Sequence, residues 1–379
     1  MTSFSLYNVL LVSATDEGGR GIEEMISKSP HYRVAGVRAD SIGKARPDFE
    51  PDIIIVDVER IGEMEVDTLN HLHGEFNDVP LIVTSEPLAQ EDVHRLIKLR
   101  IHDWLLKPVD QGKLVSVLQS AVRTAKAVQN KVHAVISTVG GAGATTIAVC
   151  MADLMANKLL KKKANVALFD LDFSTGNCGY VLNMVNSYNL ESVASNPSRI
   201  DAEFINLIQQ KHDRGFYVYS FKRPDINTEL DGFELVLRML DSVSLQHDHT
   251  VLDIPYYETD WKSEVLSGVN SCTLVTEMNL PALKHCLDML RRIREIRGDE
   301  FKVNVVVNKE TRKLFEHRIS RAKLRELFGN IPIFYLPDDK DIIEESVDRG
   351  VVPSDVSPRS RFVRALAGYL KTIGIGGEN

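Results

Sequence analysis

A glycine-rich stretch near the middle of the chain has the residue types that bind phosphate. It reads STVGGAGATTIAV over residues 137 to 149, where three glycines, Gly140, Gly141 and Gly143, are followed by two threonines, Thr145 and Thr146. In loops of the pattern G-x-x-x-x-G-K-[ST], backbone N–H groups close around the phosphates and the lysine neutralises their charge. Gly143 and Thr145 occupy their places, but Ala144 stands where the lysine belongs. The stretch predicts a nucleotide site that keeps its backbone cradle and lacks its loop charge.

Short runs of β-branched and apolar residues alternate with amphipathic segments along the whole chain. They are NVLLVS, DIIIVDV, PLIVTS, DWLLK, HAVISTV, NVALFD, HTVLDI, CTLVTE, KVNVVVN and IPIFYL. Strands that alternate with helices form parallel sheets with crossover helices, so the predicted fold class is α/β with doubly wound sheets. The glycine-rich loop follows one of these strands and precedes a helix.

One long amphipathic helix, predicted over residues 110 to 128, separates two sets of strands. The strand alternation restarts after it, as expected when a helix closes one domain and leads into the next. We therefore predict a first domain over residues 1–125, a linker over 126–131 and a second domain over 132–379.

Charge and composition restrict the function classes. The chain has 379 residues, 44% of them hydrophobic, and a formal net charge of −8. This acidity disfavours a general nucleic-acid binder, which neutralises phosphates with clustered basic residues. The basic run from Lys161 to Lys163 ends a predicted helix, where positive charge is favourable, so it needs no ligand.

The cysteines and the hydropathy pattern indicate a soluble cytoplasmic protein. The four cysteines stand singly in apolar stretches at Cys150, Cys178, Cys272 and Cys286. Their spacing matches neither zinc ligands nor a disulfide framework, so we interpret them as reduced core residues. No apolar run reaches the ~18 residues of a membrane span, and the N-terminus lacks signal-peptide features. We expect any membrane association to be indirect.

Residues 1 to about 125 resemble the response-regulator receiver domain, a five-stranded doubly wound fold. Asp57 ends the strand run PDIIIVDV, where receivers carry the phosphoacceptor; Ser85 or Thr84 ends LIVTS; and Lys107 precedes a proline. The chain departs from the receiver pattern at the paired acidic residues that hold Mg²⁺, where it has Ser13 and Ala14.

That departure affects the chemistry of Asp57. Phosphoryl transfer to a carboxylate needs a divalent ion, and Asp16 could compensate only if its loop folds back. We therefore predict a phosphorylation-independent interaction module that does not accept phosphate at Asp57, with its partner surface around Trp104 to Val117. The alternative is that Asp57 and Lys107 merely form a buried ion pair.

From residue 132 the chain resembles the ParA/MinD-type ATPases, whose loop reads K-G-G-x-G-K-[ST]-[ST]. Residues 139 to 146, VGGAGATT, keep the glycines and both hydroxyls. Both lysines are lost: the signature lysine, which in that family reaches across the dimer, is Val139, and the loop lysine is Ala144.

The resemblance assigns roles to further strand ends. Asp170 and Asp172 match the family's D-x-D switch, whose second carboxylate orients the attacking water, so they are the implied catalytic pair. Asp253 ends a Walker-B strand and would hold the Mg²⁺ shell with Thr145. The implied nucleotide-binding residues are Gly140, Gly141, Gly143, Ala144, Thr145, Thr146, Asn308, Pro337 and Asp338. The implied cofactors are ATP or ADP with Mg²⁺.

The combination of an incomplete receiver with this ATPase resembles the TadZ/CpaE family of Tad (type IVc) pilus-assembly proteins over nearly the whole chain. What the resemblance implies is a cytoplasmic localisation factor, a homodimer that marks a cell pole near the inner membrane. Its implied partners are the pilus secretion ATPase and inner-membrane assembly components.

The missing lysines decide between two functions. A charge-assisted hydrogen bond contributes about 1.5 to 3 kcal/mol, so loss of the loop lysine weakens nucleotide binding without abolishing it. A positive group supplied in trans can be worth roughly 10³ to 10⁵ in rate, and Val139 cannot supply it. The leading hypothesis is a nucleotide-binding scaffold with little turnover. The alternatives are a slow ATPase switch that uses Asp172 and Asp253, a response regulator that signals through Asp57, and, disfavoured by the acidity, a DNA-partitioning protein.

Overall fold

The computed structural model divides the chain into two compact units, residues 1–129 and 130–379. It describes residues 6–14, 19–39, 49–76, 78–89, 92–93, 95–96, 99, 101–160, 164–173, 175–194, 196–221, 232–311 and 319–376. Asp16 and the run from Lys161 to Lys163 lie outside these residues. The helix Gln111–Gln129 ends unit 1, and a strand of unit 2 begins at Lys131, so Asn130 alone stands between these two elements.

Unit 1 is a five-stranded parallel sheet. Its strands are β1 (Tyr7–Ser13), β2 (Tyr32–Arg38), β3 (Ile53–Asp57), β4 (Leu81–Ser85) and β5 (Asp103–Leu106), and its helices with assigned bounds are Arg20–Ser27, Glu63–Glu75 and Gln111–Gln129. The strand order is β2-β1-β3-β4-β5, the order of doubly wound flavodoxin-like folds. Every residue of β3 and β4 is buried, as expected for central strands covered on both faces.

Unit 2 is built on an eight-stranded sheet. Its strands are β6 (Lys131–Ser137), β7 (Val166–Asp170), β8 (Gln210–Lys211), β9 (Tyr217–Tyr219), β10 (His249–Ile254), β11 (Ser271–Thr276), β12 (Val303–Glu310) and β13 (Ile333–Pro337). The strand order is β13-β12-β11-β6-β10-β7-β9-β8. All neighbours run parallel except β8 and β9.

Helices cover the sheet of unit 2. Those of the described residues are Ala144–Leu154, Cys178–Val181, Glu191–Ala194, Ala202–Ile208, Phe233–Ser244, Lys262–Gly268, Leu280–Arg297, Arg321–Phe328, Lys340–Arg349, Pro353–Val356 and Arg361–Thr372, with a π-helical turn at Met155–Leu159 and a 3₁₀ turn at Pro197–Arg199. One apolar cluster includes Ile147 of the helix after the glycine-rich loop and Leu366 of the last helix. A second cluster, around Trp261 and Leu283, contains other residues of the same strands.

The two sheets confirm the predicted fold class, two doubly wound α/β units in sequence. Parallel strands all present their carboxyl ends at one edge of a sheet, which is where ligands bind in such folds. The glycine-rich loop follows β6, the fourth strand of the eight, so β10, β7, β11 and β12 end beside or near it.

Candidate functional site

The glycine-rich loop joins β6 to the helix Ala144–Leu154. Gly141 and Gly143 take left-handed conformations, with φ of 81° and 94°, which glycine adopts without the steric cost of a Cβ atom. Gly143 is the N-cap of the helix, so the unpaired N–H groups of the first turn begin at this loop. Backbone N–H groups in this arrangement are suited to an anion.

The position of the missing loop lysine is filled by a buried methyl group. Ala144 is 4% exposed and belongs to the apolar cluster of Ile147 and Val135. Val139 packs against the same cluster and is partly buried. Neither position of the two lost lysines therefore carries a polar group toward the loop.

Asn308, at the end of β12, braces the loop from the side. Its Nδ2 donates to the Ala142 carbonyl at 2.8 Å. A Cβ atom on Gly143 would lie 2.5 Å from the same nitrogen, so glycine is needed there for the close approach as well as for its backbone angles. The structure thus places Asn308 on the loop backbone.

The next residue, which the sequence motifs did not predict to be part of the site, also contacts the loop. Lys309 Nζ donates to the Gly141 carbonyl at 2.6 Å and to Glu277 Oε1 at 2.9 Å. The signal in the sequence was its place directly after Asn308 at a strand end. This signal is weak, because lysines at strand ends are usually solvated.

Two buried aspartates face each other at the ends of β7 and β10. Asp170 and Asp253 are register partners and are 3% and 5% exposed. Burial and the neighbouring Asp253 raise the pKa of Asp170 to about 7, and burial raises the pKa of Asp253 to about 6. The Thr145 hydroxyl and the Asp253 carboxylate interact, so the structure brings together the two residues predicted to hold Mg²⁺.

Further neutral groups donate hydrogen bonds to these two buried aspartates. Ser220 Oγ donates to Asp170 at 2.8 Å, the Cys178 N–H donates to the same carboxylate at 3.1 Å, and Cys178 Sγ donates to Asp253 at 3.4 Å. Burial, followed by the two carboxylates, raises the pKa of the Cys178 thiol well above its ordinary value. The cysteine therefore acts here as a neutral donor.

Asp172, the second aspartate of the D-x-D segment, is held by its own loop and by a tyrosine. Its carboxylate accepts from the Thr175 N–H at 2.7 Å, the Thr175 hydroxyl at 2.8 Å and the Tyr257 hydroxyl at 2.6 Å. A Cβ atom on Gly176 would lie 2.2 Å from the Asp172 carbonyl, so this turn admits only glycine there. In this conformation three groups donate hydrogen bonds to the carboxylate that, by the resemblance, orients the attacking water molecule.

The loop after β10 is fixed by a buried lysine. Lys262 is 2% exposed, and its Nζ donates to the carbonyls of Pro255, Tyr256 and Tyr257 at 2.8, 3.3 and 3.0 Å. Burial lowers the pKa of Lys262 to about 8. These bonds set the backbone that carries Tyr257 to Asp172 and the half-exposed Tyr256 ring to within 3.6 Å of where a Cβ of Gly140 would be.

The remaining predicted nucleotide residues lie along the same edge of the sheet. Thr146 follows Thr145 in the first turn of the loop helix. Pro337 ends β13, and the Asp338 N–H donates to the Glu310 carbonyl at 3.1 Å. This bond joins the ends of β12 and β13, although no described contact links the side chain of Asp338 to the glycine-rich loop.

A cavity of about 420 Å³ is bordered by the start of the loop and by the helix Leu280–Arg297. It is lined by Thr138, Val139, Gly140, Tyr256, Glu258, Lys262, Leu266, His285, Asp288, Met289, Arg292 and Ile293. Within it Arg292 pairs with Glu258 and donates to Ser263 at 3.1 Å, so its guanidinium is already neutralised by the chain.

The residues of this edge fit a magnesium nucleotide. Thr145 and the two aspartates supply oxygen atoms, the ligands that Mg²⁺ prefers. Two neighbouring buried carboxylates with raised pKa values are also stabilised by a nearby cation. The loop offers N–H groups to phosphates, while the side-chain charge that normally accompanies them is missing from the loop itself.

The receiver-like unit has its own buried aspartate. Asp57 is 2% exposed and accepts from Lys107 Nζ at 2.8 Å and from the Thr84 hydroxyl. Ser85 lies elsewhere: its hydroxyl donates to the Glu86 carbonyl at 2.8 Å and accepts from Trp104 Nε1 at 2.9 Å. Of the two hydroxyls proposed for this site, the structure therefore brings Thr84, and not Ser85, to the carboxylate.

Comparisons with known proteins identify the fold of unit 2. No family model and no curated protein match the chain. Among solved structures, the ParA-family ATPase of Chlorobium tepidum TLS matches with a TM-score of 0.55 and 19% identity, over 63% of this chain and 98% of its own. These values show that unit 2 has the fold of ParA-type ATPases.

Two further structures have the same fold. The septum site-determining protein MinD from Pyrococcus horikoshii OT3, complexed with Mg-ADP, matches with a TM-score of 0.51 and 16% identity over 66% of this chain and 100% of its own. An ATP complex of an McdA variant from Cyanothece matches with a TM-score of 0.51 and 14% identity, over 66% of this chain and 99% of its own.

Among the described residues of our chain, no helix has the length and apolar character to cross a membrane.

Proposed function

We propose that the protein is a nucleotide-binding positioning scaffold for a Tad-type pilus, with little or no ATP turnover. The observation that carries this proposal is the intact cradle beside a filled lysine position: Gly141 and Gly143 keep the loop open, while Ala144 is a buried methyl group. MinD and McdA of this fold are seen with Mg-ADP and ATP, which supports the same ligand class here.

The residues that would hold the ligand follow from the geometry. The N–H groups from Gly140 to Thr146 would bind the phosphates, and Thr145 with Asp253 would hold a magnesium ion. When bound, the ion would neutralise phosphate charge. Asn308 keeps the loop in shape, and Asp170 lies beside Asp253 as a second buried carboxylate.

Low turnover is expected for two reasons. Neither Val139 nor Ala144 supplies a charge to the transferring phosphoryl group, and such charge dominates catalysis of phosphoryl transfer. In addition, Asp172 already accepts three hydrogen bonds from Thr175 and Tyr257, so these donors compete with a water molecule for the carboxylate. Binding and hydrolysis are therefore separable in this protein.

The finer parts of the proposal rest on the TadZ/CpaE resemblance. We propose a homodimer in which the glycine-rich loops of the two subunits face each other. This dimer marks a cell pole near the inner membrane and recruits the pilus secretion ATPase and inner-membrane components. The receiver-like unit serves as a contact module, because Asp57 is paired with Lys107 and the acidic pair at Ser13 and Ala14 is lacking.

A slow ATPase switch is the second candidate. It is favoured by the presence of Asp172 beside the pair of Thr145 and Asp253, since a protein that binds a magnesium nucleotide without hydrolysing it needs no carboxylate to orient a water molecule. The two candidates differ in what hydrolysis does, so replacing Asp172 with Ala distinguishes them.

Two measurements test the scaffold. Calorimetry with millimolar ADP or ATP should detect binding that weakens when Mg²⁺ is removed; absence of heat with either nucleotide would reject the nucleotide site. Light scattering at micromolar protein should give a dimer, and Gly141→Arg should break it, with loss of the polar focus of a fluorescent fusion. A monomeric wild type would reject the dimer.

A further inference from the structure

Lys309 brings a positive charge to the glycine-rich loop from a different strand. Its Nζ donates to the Gly141 carbonyl at 2.6 Å and pairs with Glu277 Oε1 at 2.9 Å. The loop's own two lysine positions are Val139 and Ala144. A cation supplied by β12 therefore lies at the loop that has lost its cations.

The backbone at Lys309 is in a conformation that costs stability. Its φ is 53°, in the left-handed region that residues with a Cβ atom seldom adopt. The pairing of β12 with β13 shifts between Val307 and Glu310, so β12 carries one extra residue there. Such bulges redirect a side chain, and strained backbone of this kind concentrates at functional sites.

Both neighbours of Lys309 are anchored, which keeps it in this conformation. Asn308 donates to the Ala142 carbonyl at 2.8 Å on one side. On the other side Glu310 pairs with Arg321, and its carbonyl accepts from the Asp338 N–H at 3.1 Å. These two contacts fix the backbone on both sides of Lys309, and the fixed backbone directs its side chain toward the loop.

The contact acts on the groups that would bind phosphate. The Gly141 carbonyl and the Ala142 N–H belong to one peptide group, so a cation on the oxygen makes the N–H a stronger donor. In this conformation that N–H donates to the Val139 carbonyl at a long 3.4 Å, a bond that a phosphate would replace. The Ala142 carbonyl, which accepts from Asn308, is linked in the same way to the Gly143 N–H. Asn308 and Lys309 thus act on consecutive peptide groups of the loop.

We propose that Lys309 is a positioning residue that replaces part of the missing lysine charge, acting through the Gly141 carbonyl on the loop N–H groups. This rests on the proposed nucleotide site. Because Lys309 is half-exposed and shares its charge with Glu277, the effect is smaller than that of a lysine in the loop and is screened by salt.

Calorimetry of Mg-ADP binding to the full chain tests the role of Lys309. The variants are Lys309→Met, which removes charge and donor, Lys309→Gln, which keeps a donor, and Lys309→Arg, which keeps the charge. The matched control is Lys323→Met, because Lys323 is similarly exposed and pairs with Glu326 at 2.9 Å on a helix outside the loop. Thermal melting without nucleotide checks that each variant is folded.

We expect Lys309→Met to weaken Mg-ADP binding about tenfold at low salt, Lys309→Gln to weaken it nearly as much, and Lys309→Arg and Lys323→Met to bind like the wild type. The difference should shrink at high salt. Equal affinity of wild type and Lys309→Met, or full binding by Lys309→Gln, overturns the role of the charge while leaving the site intact. A wild type that binds no Mg-ADP overturns the proposed site and this inference with it.

Discussion

Both units bury an aspartate at the end of a central strand, but they neutralise it differently. Asp57 in unit 1 is met by a cation of its own chain, Lys107 at 2.8 Å. Asp170 and Asp253 in unit 2 lie side by side, and in the part of the chain that the structure describes their donors are hydroxyl, thiol and N–H groups. The first arrangement pairs the carboxylate with a cation of the chain; the second, among the described residues, places two buried carboxylates together with neutral donors, as expected of a site that binds a cation.

The largest expected effect comes from breaking the internal pair of unit 1. Lys107→Met leaves Asp57 buried without its cation, and loss of one partner of a buried pair costs about 3 kcal/mol. Hydrogen exchange of the β3 backbone in the full chain measures the loss. The exposed Lys113→Met on the next helix is the control. Equal protection in both variants would show that Lys107 does not stabilise Asp57.

Unit 2 also contains a histidine pair in which His133 is buried and His249 is partly buried, which sharpens the contrast. His133 Nε2 lies 3.2 Å from His249 Nδ1, and Ser271 Oγ lies 2.9 Å from His133 Nδ1. Burial, followed by the nearby His249 and Lys131, lowers the pKa of His133 to about 3. The neutral ring is therefore required by the folded state.

The contribution of His133 to the stability of unit 2 should consequently fall as the pH falls below the unfolded value of about 6.5, because the unfolded chain binds the proton first. This contribution should change by about 2 kcal/mol between pH 7 and pH 5. The raised pKa values of Asp170 and Asp253 act in the opposite direction over the same range, so the histidine is isolated by comparing urea unfolding of the wild type and of His133→Phe at both pH values. Exposed His285→Gln should show the wild-type change. The same change in the wild type and in His133→Phe would show that His133 does not contribute.

The proposed magnesium site of unit 2 gives the next effect. Mg²⁺ should tighten ADP binding about tenfold in the wild type. Asp253→Asn should remove most of this dependence, because the amide no longer carries the charge that attracts the ion. Calorimetry with and without Mg²⁺ gives the ratio, and Asp260→Asn, on an exposed carboxylate after the same strand, should keep it. Retention of the full ratio in Asp253→Asn would place the ion elsewhere.

The smallest effect is expected at the tyrosine that holds Asp172. Tyr257→Phe removes one donor, which costs about 1 kcal/mol locally, and should leave ATP turnover at the wild-type level because the charges at Val139 and Ala144 are still missing. Phosphate release measures turnover. A marked rise would mean that the tyrosine, rather than the lost lysines, limits hydrolysis.

The strand alternation was sufficient to predict two doubly wound units, because a buried parallel strand needs a run such as DIIIV whatever its partners are. The positions of Gly143, Thr145 and Asp253 followed from motif spacing, and the structure brings them together. The contacts of Lys309, Tyr257 and Lys262 could not be predicted, since they depend on a bulge and on loop conformations that one sequence does not specify. For the same reason the sequence left Thr84 and Ser85 equivalent, although only Thr84 reaches Asp57.

The central claim is that unit 2 binds nucleotide without depending on its hydrolysis. The most direct test is to measure Mg-ATP binding and phosphate release in one purified sample of the wild type and of Asp172→Ala. We predict saturable binding in both proteins, phosphate release at background in both, and an unchanged dimer. Release by the wild type that Asp172→Ala abolishes, together with a trapped dimer, would contradict the scaffold and identify a hydrolytic switch.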